Sequence, residues 1–171
     1  NDLQEAIEAQ NFELHYQPLL GARSGEVVGF EALVRWKHPT KGYLSPGLFI
    51  PLAEETGQIG PISEWVLRQA CRDMCRLAAE GYGRYRVSVN LSPLQFRRSN
   101  FLSSLQQALL ETGLSPDCLE LELTEGILMI DTVAAVETLH RLRDMGVEVS
   151  IDDFGTGFSS LSYLKQLPIG K

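Results

Sequence analysis

Two adjacent carboxylates, Asp152 and Asp153, stand at the end of an alternating apolar segment and directly before a glycine-containing loop. Val147, Val149 and Ile151 alternate with polar residues, which is typical of a strand with one buried face. Neighbouring carboxylates repel each other unless they are protonated, paired or bound to a cation, and oxygen ligands of this kind suit Mg²⁺, Mn²⁺ or Ca²⁺. The pair therefore indicates a divalent cation site, with a solvated acidic turn as the alternative.

Two earlier segments have a similar construction, in which a predicted strand carries polar side chains on one face. Residues 26–36 alternate so that Glu31 and Arg35 share one face, while the larger apolar side chains occupy the other. Residues 85–92 alternate as well, and Asn90 falls near the end of that strand. For each segment alone, an ordinary sheet with one solvated face explains the pattern.

A further predicted strand, over residues 118–125, alternates leucines with acidic residues. Glu120 and Glu122 lie on the face away from the leucines, and Glu125 follows where the strand should give way to a loop. Together with the segment that ends at Asp152, four such strands occur in succession along the chain. This repetition favours a shared polar site over four unrelated solvated faces.

The stretches between these strands carry apolar residues at the three-to-four spacing of amphipathic helices. Ser45 and Pro46 form a helix start, because serine caps a first turn and proline fits its first position. Helices are predicted over residues 49–56, from 62 to about 81, over 101–113, over 131–146 and from Ser159 to Pro168.

The alternation of strand and helix predicts parallel strands joined by right-handed crossovers, hence an α/β fold. The first strand, over residues 12–19, is the exception, because the short turn at residues 21–25 allows only an antiparallel pair. In parallel sheets and barrels the chemistry gathers at the carboxyl ends of the strands. We therefore expect four polar side chains to converge at that edge: those of Glu31, Asn90, Glu122 and Asp152.

Four motifs in this order closely resemble those of the EAL-domain cyclic di-GMP phosphodiesterases. They are EALVRW at residues 31–36, NLSP at 90–93, ELTE at 122–125 and DDFGTG at 152–157. Two further runs are similar to the family, YQP at residues 16–18 and FIPLAEETG at 49–57. The resemblance extends from about Phe12 to the last residue.

The resemblance implies a fold, a modified TIM (β/α) barrel with an antiparallel first strand. Such a barrel takes about 250 residues, so residues 1–171 are expected to be the N-terminal two-thirds of a single EAL-type domain, incomplete at the C-terminus. The lysine of the family's next motif is not assigned to Lys171, which comes too early, and a later glutamate and glutamine are also missing. We therefore expect this chain alone to be inactive, because part of the catalytic set is missing. It should also be poorly soluble, or fold only by pairing its edges with another copy, because its open sheet edge would lack its neighbours.

The resemblance also implies a set of catalytic and metal-binding residues. Glu31, Asp152 and Asp153 are the expected catalytic residues. A first Mg²⁺ or Mn²⁺ would be bound by Glu31, Asn90, Glu122 and Asp152, and Asp153 would help to hold a second.

Substrate binding and loop control are implied in the same way. Gln17 and Leu33 would line the nucleotide cleft, and Arg35 would contact a phosphate of cyclic di-GMP. Glu125 would anchor the loop at residues 154–160, which the family links to dimerisation, so a homodimer is expected.

The implied reaction is hydrolysis of cyclic di-GMP to linear pGpG through metal-activated water, chemistry for which paired divalent cations are suited. The alternative is a catalytically inactive EAL-type receptor that binds cyclic di-GMP as a signalling module. A scaffold whose surface helices matter and whose cleft does not is a third hypothesis. The presence of Glu31, Asp152 and Asp153 favours the enzyme.

The composition of the chain limits the classes of partner that it is expected to bind. The formal net charge of −7 argues against a polymeric nucleic acid as the partner, because its phosphates require a basic surface.

The three cysteines, Cys71, Cys75 and Cys118, have neither zinc-ligand nor disulfide spacing. Reduced thiols and the absence of a signal-peptide pattern predict a cytoplasmic domain, which a membrane-anchored protein with flanking sensor or diguanylate-cyclase-like domains could carry.

Overall fold

The computed structural model describes residues 2–124 and 132–152, with the backbone alone described for Thr132 and Asp152. The helices and strands follow one another in the order α1 (Asp2–Ala9), β1 (Phe12–Leu20), β2 (Val27–His38), β3 (Gly42–Leu44), α2 (Pro46–Thr56), α3 (Ile59–Ala79), β4 (Arg86–Asn90), α4 (Pro93–Phe96), α5 (Phe101–Thr112), β5 (Leu119–Thr124), α6 (Thr132–Met145) and β6 (Glu148–Asp152). A single 3₁₀ turn at Pro116–Cys118 precedes β5.

The strands form one mixed sheet in the order β1, β2, β4, β5, β6, with β3 paired to the far part of β2. β1 and β2 are antiparallel, as the short turn predicts, and β2, β4, β5 and β6 are parallel. The described part of the chain therefore confirms the predicted order of antiparallel pair and parallel crossovers.

The helices pack on one face of the sheet and bury its apolar side chains. Val87 and Val89 of β4 and all three leucines of β5 are almost completely buried. This leaves the alternate residues of the same strands on the opposite face. Burial of the leucine face thus decides where the acidic residues of β5 point.

Helix ends match the sequence signals closely. α2 begins at Pro46 as predicted, but the side chain of the extended Ser45 before it makes no capping hydrogen bond; Gly57 ends the helix with φ 77°. Gly113 ends α5 with φ 80°. Both glycines adopt the left-handed conformation that a side chain disfavours, so each stops its helix where the sequence predicts.

Three short elements were not predicted from the sequence. α1 buries Leu3 and Ala6, but it is too short to show a helical period. β3 has only three residues, and α4 begins at Pro93, where the Ser92 hydroxyl accepts a hydrogen bond of 3.2 Å from the Leu94 amide. Several predicted features lie outside the described residues: the first residue of the helix predicted over 131–146, the loop at residues 154–160 and the helix beginning at Ser159.

The strand that carries Gln17 is fixed to α3 by a partly buried hydrogen bond. The Tyr16 hydroxyl donates to Asp73 Oδ2 at 2.5 Å, and Gln69 Nε2 donates to Asp73 Oδ1 at 2.9 Å. Burial, followed by the hydrogen bond to Asp73, raises the pKa of Tyr16, so the hydroxyl stays protonated and remains a donor. This contact joins β1 to the helical layer.

Replacing Tyr16 with phenylalanine should lower the free energy of unfolding by about 1–3 kcal/mol, because Asp73 loses a donor in a largely buried position. Thermal or urea unfolding measures the change. The exposed Tyr82 supplies the control, since Tyr82→Phe should leave stability unchanged. Equal stability of both variants and the parent would show that the Tyr16 contact contributes nothing.

Within the described residues, no helix has both the length and the apolar character needed to cross a membrane.

Candidate functional site at the carboxyl edge of the sheet

Three of the predicted ligands come from neighbouring parallel strands at the carboxyl edge of the sheet. Asn90, the last residue of β4, is the register partner of Glu122 in β5. On its other side, Asn90 Nδ2 donates a hydrogen bond of 3.1 Å to Glu31 Oε2 in β2. The sequence prediction that these three residues lie together is supported by this register and contact.

Of the two remaining predicted ligands, Asp152 and Asp153, the structure describes only the backbone of Asp152. Asp152 is the last residue of β6, and its backbone lies beside Thr124 of β5, at the same edge of the sheet. The side chain of Asp152 and the whole of Asp153 and Glu125 lie outside the described residues. The roles predicted for these carboxylates therefore stay predictions.

Among the side chains that the structure describes, no group of three or more His, Cys, Asp and Glu residues is placed to hold a metal ion. Glu31 and Glu122 are the two described carboxylates of the predicted set, and the third described member, Asn90, offers an amide oxygen. The amide nitrogen of Asn90 makes the contact to Glu31, so its carbonyl oxygen is the atom that could serve as a cation ligand. Two carboxylates and an amide carbonyl fit the oxygen donors that Mg²⁺ and Mn²⁺ prefer.

Strand alternation explains why these side chains share one face. Ala32, Val89 and Leu121 adjoin the three polar residues in sequence, and each is at most 3 % exposed beneath the helices. Burying these apolar neighbours turns the polar residues to the opposite face of the sheet. The core therefore positions the site.

The residues predicted to bind substrate lie beside this group. Gln17 of β1 is the register partner of Glu31, and Leu33 and Arg35 continue the same face along β2. Arg35 Nη1 donates to the Val34 carbonyl at 2.9 Å, and Arg35 forms no salt bridge with any described residue. Its charge is thus available, within the described residues, to an anion such as a phosphate.

A cavity of about 410 Å³ adjoins this edge, between the ends of β2 and β4 and the helices α2 and α3. Leu33 and Asn90 line it together with largely apolar residues. At its polar side, the Ser92 hydroxyl donates to Glu54 Oε2 at 2.6 Å, which joins the start of α4 to α2. Sequence reasoning assigned no role to Glu54, although it lies within the family-like run at residues 49–57.

Comparison with known proteins decides the family. The family model described as the EAL domain matches residues 1–171. This chain belongs to the EAL-domain family. Its sequence motifs are similar to those of this family. Its parallel strands with polar carboxyl ends are also those of an EAL domain.

Two curated relatives from Pseudomonas aeruginosa are similar to this EAL domain. The bifunctional diguanylate cyclase/cyclic di-GMP phosphodiesterase MucR is 49 % identical over 168 residues, which cover 98 % of this chain and 24 % of MucR. The cyclic di-GMP phosphodiesterase NbdA is 48 % identical over 168 residues, covering 98 % of this chain and 22 % of NbdA. The chain thus spans about a quarter of the length of these relatives.

A solved structure of the PaMucR phosphodiesterase in complex with c-di-GMP superposes on this EAL domain with a TM-score of 0.92. The two share 49 % sequence identity, and the match covers 98 % of this chain and 68 % of the solved chain. The EAL domain has a TIM-barrel-like fold, which confirms the predicted α/β barrel architecture with an antiparallel first strand.

Proposed function

We propose that this EAL domain hydrolyses cyclic di-GMP to linear pGpG with the help of Mg²⁺ or Mn²⁺ held at the carboxyl edge of its sheet. The observation that carries the proposal is the meeting of Glu31, Asn90 and Glu122 on three adjacent strands. Relatives that share nearly half of its residues are named cyclic di-GMP phosphodiesterases, which supports the substrate.

The cation site would be built from Glu31, Asn90, Glu122, Asp152 and Asp153. When bound there, divalent cations would supply Lewis acidity toward a phosphoryl oxygen and an acidified water as nucleophile. The chain's own contribution is to hold oxygen donors in place. Asn90 assists because its contact to Glu31 orients both side chains before a cation arrives.

Arg35 would bind the substrate through a phosphate, while Leu33 and Gln17 line the cleft. A guanidinium can donate two parallel hydrogen bonds to a phosphate, which fixes the orientation of the group as well as attracting it. The positive charge of Arg35 is important for binding a phosphate because the chain as a whole carries a formal net charge of −7. Arg35 thus offsets the acidic edge beside which a dianionic dinucleotide must lie.

Replacing Arg35 with alanine should weaken cyclic di-GMP binding roughly tenfold or more, since a charge-assisted hydrogen bond contributes about 1.5–3 kcal/mol. Arg35→Lys should recover only part of the loss, because lysine keeps the charge without the planar fork. Calorimetric titration of cyclic di-GMP into the full-length protein measures both. Arg23→Ala, in the exposed turn between β1 and β2, is the matched control. If Arg35→Ala binds cyclic di-GMP as tightly as Arg23→Ala does, Arg35 is not part of the binding site.

The wider setting of the domain is also a proposal. We infer that further residues complete the barrel, that the domain acts as a homodimer, and that sensor or diguanylate-cyclase-like domains flank it. The part of MucR and NbdA that this chain does not cover supports flanking segments. Sedimentation of the full-length protein with and without cyclic di-GMP tests the dimer, and a monomer under both conditions would overturn it.

A further inference from the structure

A second layer of polar side chains lies directly beneath the predicted cation ligands. Each member stands two positions before a ligand on the same strand and therefore on the same face of the sheet. The three members are Ser88, Glu120 and Ser150, which precede Asn90, Glu122 and Asp152.

Glu120 joins three neighbouring strands, β4, β5 and β6, through one carboxylate. Its Oε2 accepts a hydrogen bond from Ser88 Oγ of β4 at 3.2 Å and another from Ser150 Oγ of β6 at 3.2 Å. Glu120 is 4 % exposed and Ser88 is 3 % exposed. A buried carboxylate with two hydroxyl donors, one from each neighbouring strand, restricts how those strands can shift.

Glu120 also adds negative charge below the ligands. Arg86 Nη2 lies 3.7 Å from Glu120 Oε1, but the same guanidinium pairs with Glu148 and its side chain is 44 % exposed. Arg86 is therefore shared between the carboxylates of Glu120 and Glu148. Two residues along a strand span roughly 6.6 Å, which is shorter than the Debye length of about 8 Å at physiological salt.

We propose that Glu120 is a positioning residue for the cation site, acting through its two serine partners and through its charge. It holds the ends of β4 and β6, which carry Asn90 and Asp152, at a fixed distance from β5. Its charge raises the affinity of the edge for a divalent cation. This inference rests on the proposed function, because it assumes that the carboxyl edge binds such a cation.

Two sets of variants separate the charge from the hydrogen bonds. Glu120→Gln keeps an oxygen that can accept from a serine but removes the charge. The double variant with Ser88→Ala and Ser150→Ala keeps the charge but removes both hydroxyl donors. Glu137→Gln is the control for loss of a carboxylate, because Glu137 is exposed on α6 and pairs with Arg141.

The test is titration of Mn²⁺ alone into each full-length variant, followed by turnover as a function of Mn²⁺ concentration. Residues that support metal ligands typically change affinity about 10–100-fold. We expect Glu120→Gln to raise the Kd for Mn²⁺ about tenfold or more and the serine double variant to raise it less, with saturating Mn²⁺ restoring most of kcat in both. Glu137→Gln should match the parent.

A Kd for Glu120→Gln within twofold of the parent would overturn the proposal, as would a loss of kcat that saturating Mn²⁺ does not restore. Should Glu120→Gln fail to fold, an unchanged Kd in a folded serine double variant would also overturn it. A parent that binds Mn²⁺ without hydrolysing cyclic di-GMP contradicts the proposed function alone, since the Kd comparison still decides the role of Glu120. A parent that binds no Mn²⁺ contradicts both.

Discussion

Glu31→Gln should lower turnover of cyclic di-GMP by about a thousandfold or more while leaving the fold intact. Removing one carboxylate ligand forfeits several kcal/mol of transition-state stabilisation, and each 1.36 kcal/mol corresponds to a factor of about ten in rate. Glutamine can still accept the hydrogen bond that Asn90 Nδ2 now donates to Glu31. The loss should therefore appear in kcat with Mg²⁺ or Mn²⁺ and hardly in the melting temperature.

The matched control is Glu26→Gln, which removes an exposed carboxylate immediately before the same strand. Its turnover should equal that of the parent. Glu31→Ala should be as inactive as Glu31→Gln but less stable, because it also removes the contact to Asn90. If Glu31→Gln turned over cyclic di-GMP as fast as the parent, Glu31 would not be a metal ligand.

Asp153→Asn is expected to abolish most turnover for a different reason. The predicted role of Asp153 is to hold a second cation, whereas the first is held by Glu31, Asn90, Glu122 and Asp152. Loss of one of two paired cations leaves the first in place but removes part of the charge stabilisation that paired metals provide. Mn²⁺ titration should show two sites in the parent and one in the variant.

The variant should still bind cyclic di-GMP, because Arg35 and Leu33 are unchanged. A fully active Asp153→Asn protein with a single cation site would indicate one-metal chemistry. Two sites in the variant would show that another residue holds the second cation.

Alternation along individual strands was enough to predict the face on which the site lies. Leu119, Leu121 and Leu123 had to be buried, so Glu120 and Glu122 had to face the other way. Convergence of Glu31, Asn90 and Glu122 then followed from parallel pairing. Both predictions depend only on the local alternation of residues and on the rule that functional residues gather at the carboxyl ends of parallel strands.

The layer formed by Ser88, Glu120 and Ser150 was not predicted, for a physical reason. Its contacts depend on the register between strands that are about 30 residues apart in sequence, and register is set by tertiary packing. Alternation placed Glu120 on the polar face but did not indicate its partners. The only sequence signal was its position two residues before a predicted ligand.

Short elements escaped prediction because they depend on long-range contacts. α1 is held by burial of Leu3 and Ala6 and by a hydrogen bond of 3.2 Å between His38 Nε2 and Asp2 Oδ2. β3 exists because β2 extends to His38 and offers it a partner. Neither helical period nor strand alternation can be read from so few residues.

Metal-dependent hydrolysis is tested most directly by product analysis of cyclic di-GMP incubated with the full-length protein and Mg²⁺ or Mn²⁺, with and without a chelator. We expect linear pGpG as the product, formed only when the cation is present and reduced about a thousandfold or more by Glu31→Gln. Cyclic di-GMP that binds tightly but remains intact with either metal would show that the domain is not a phosphodiesterase and would indicate a receptor instead.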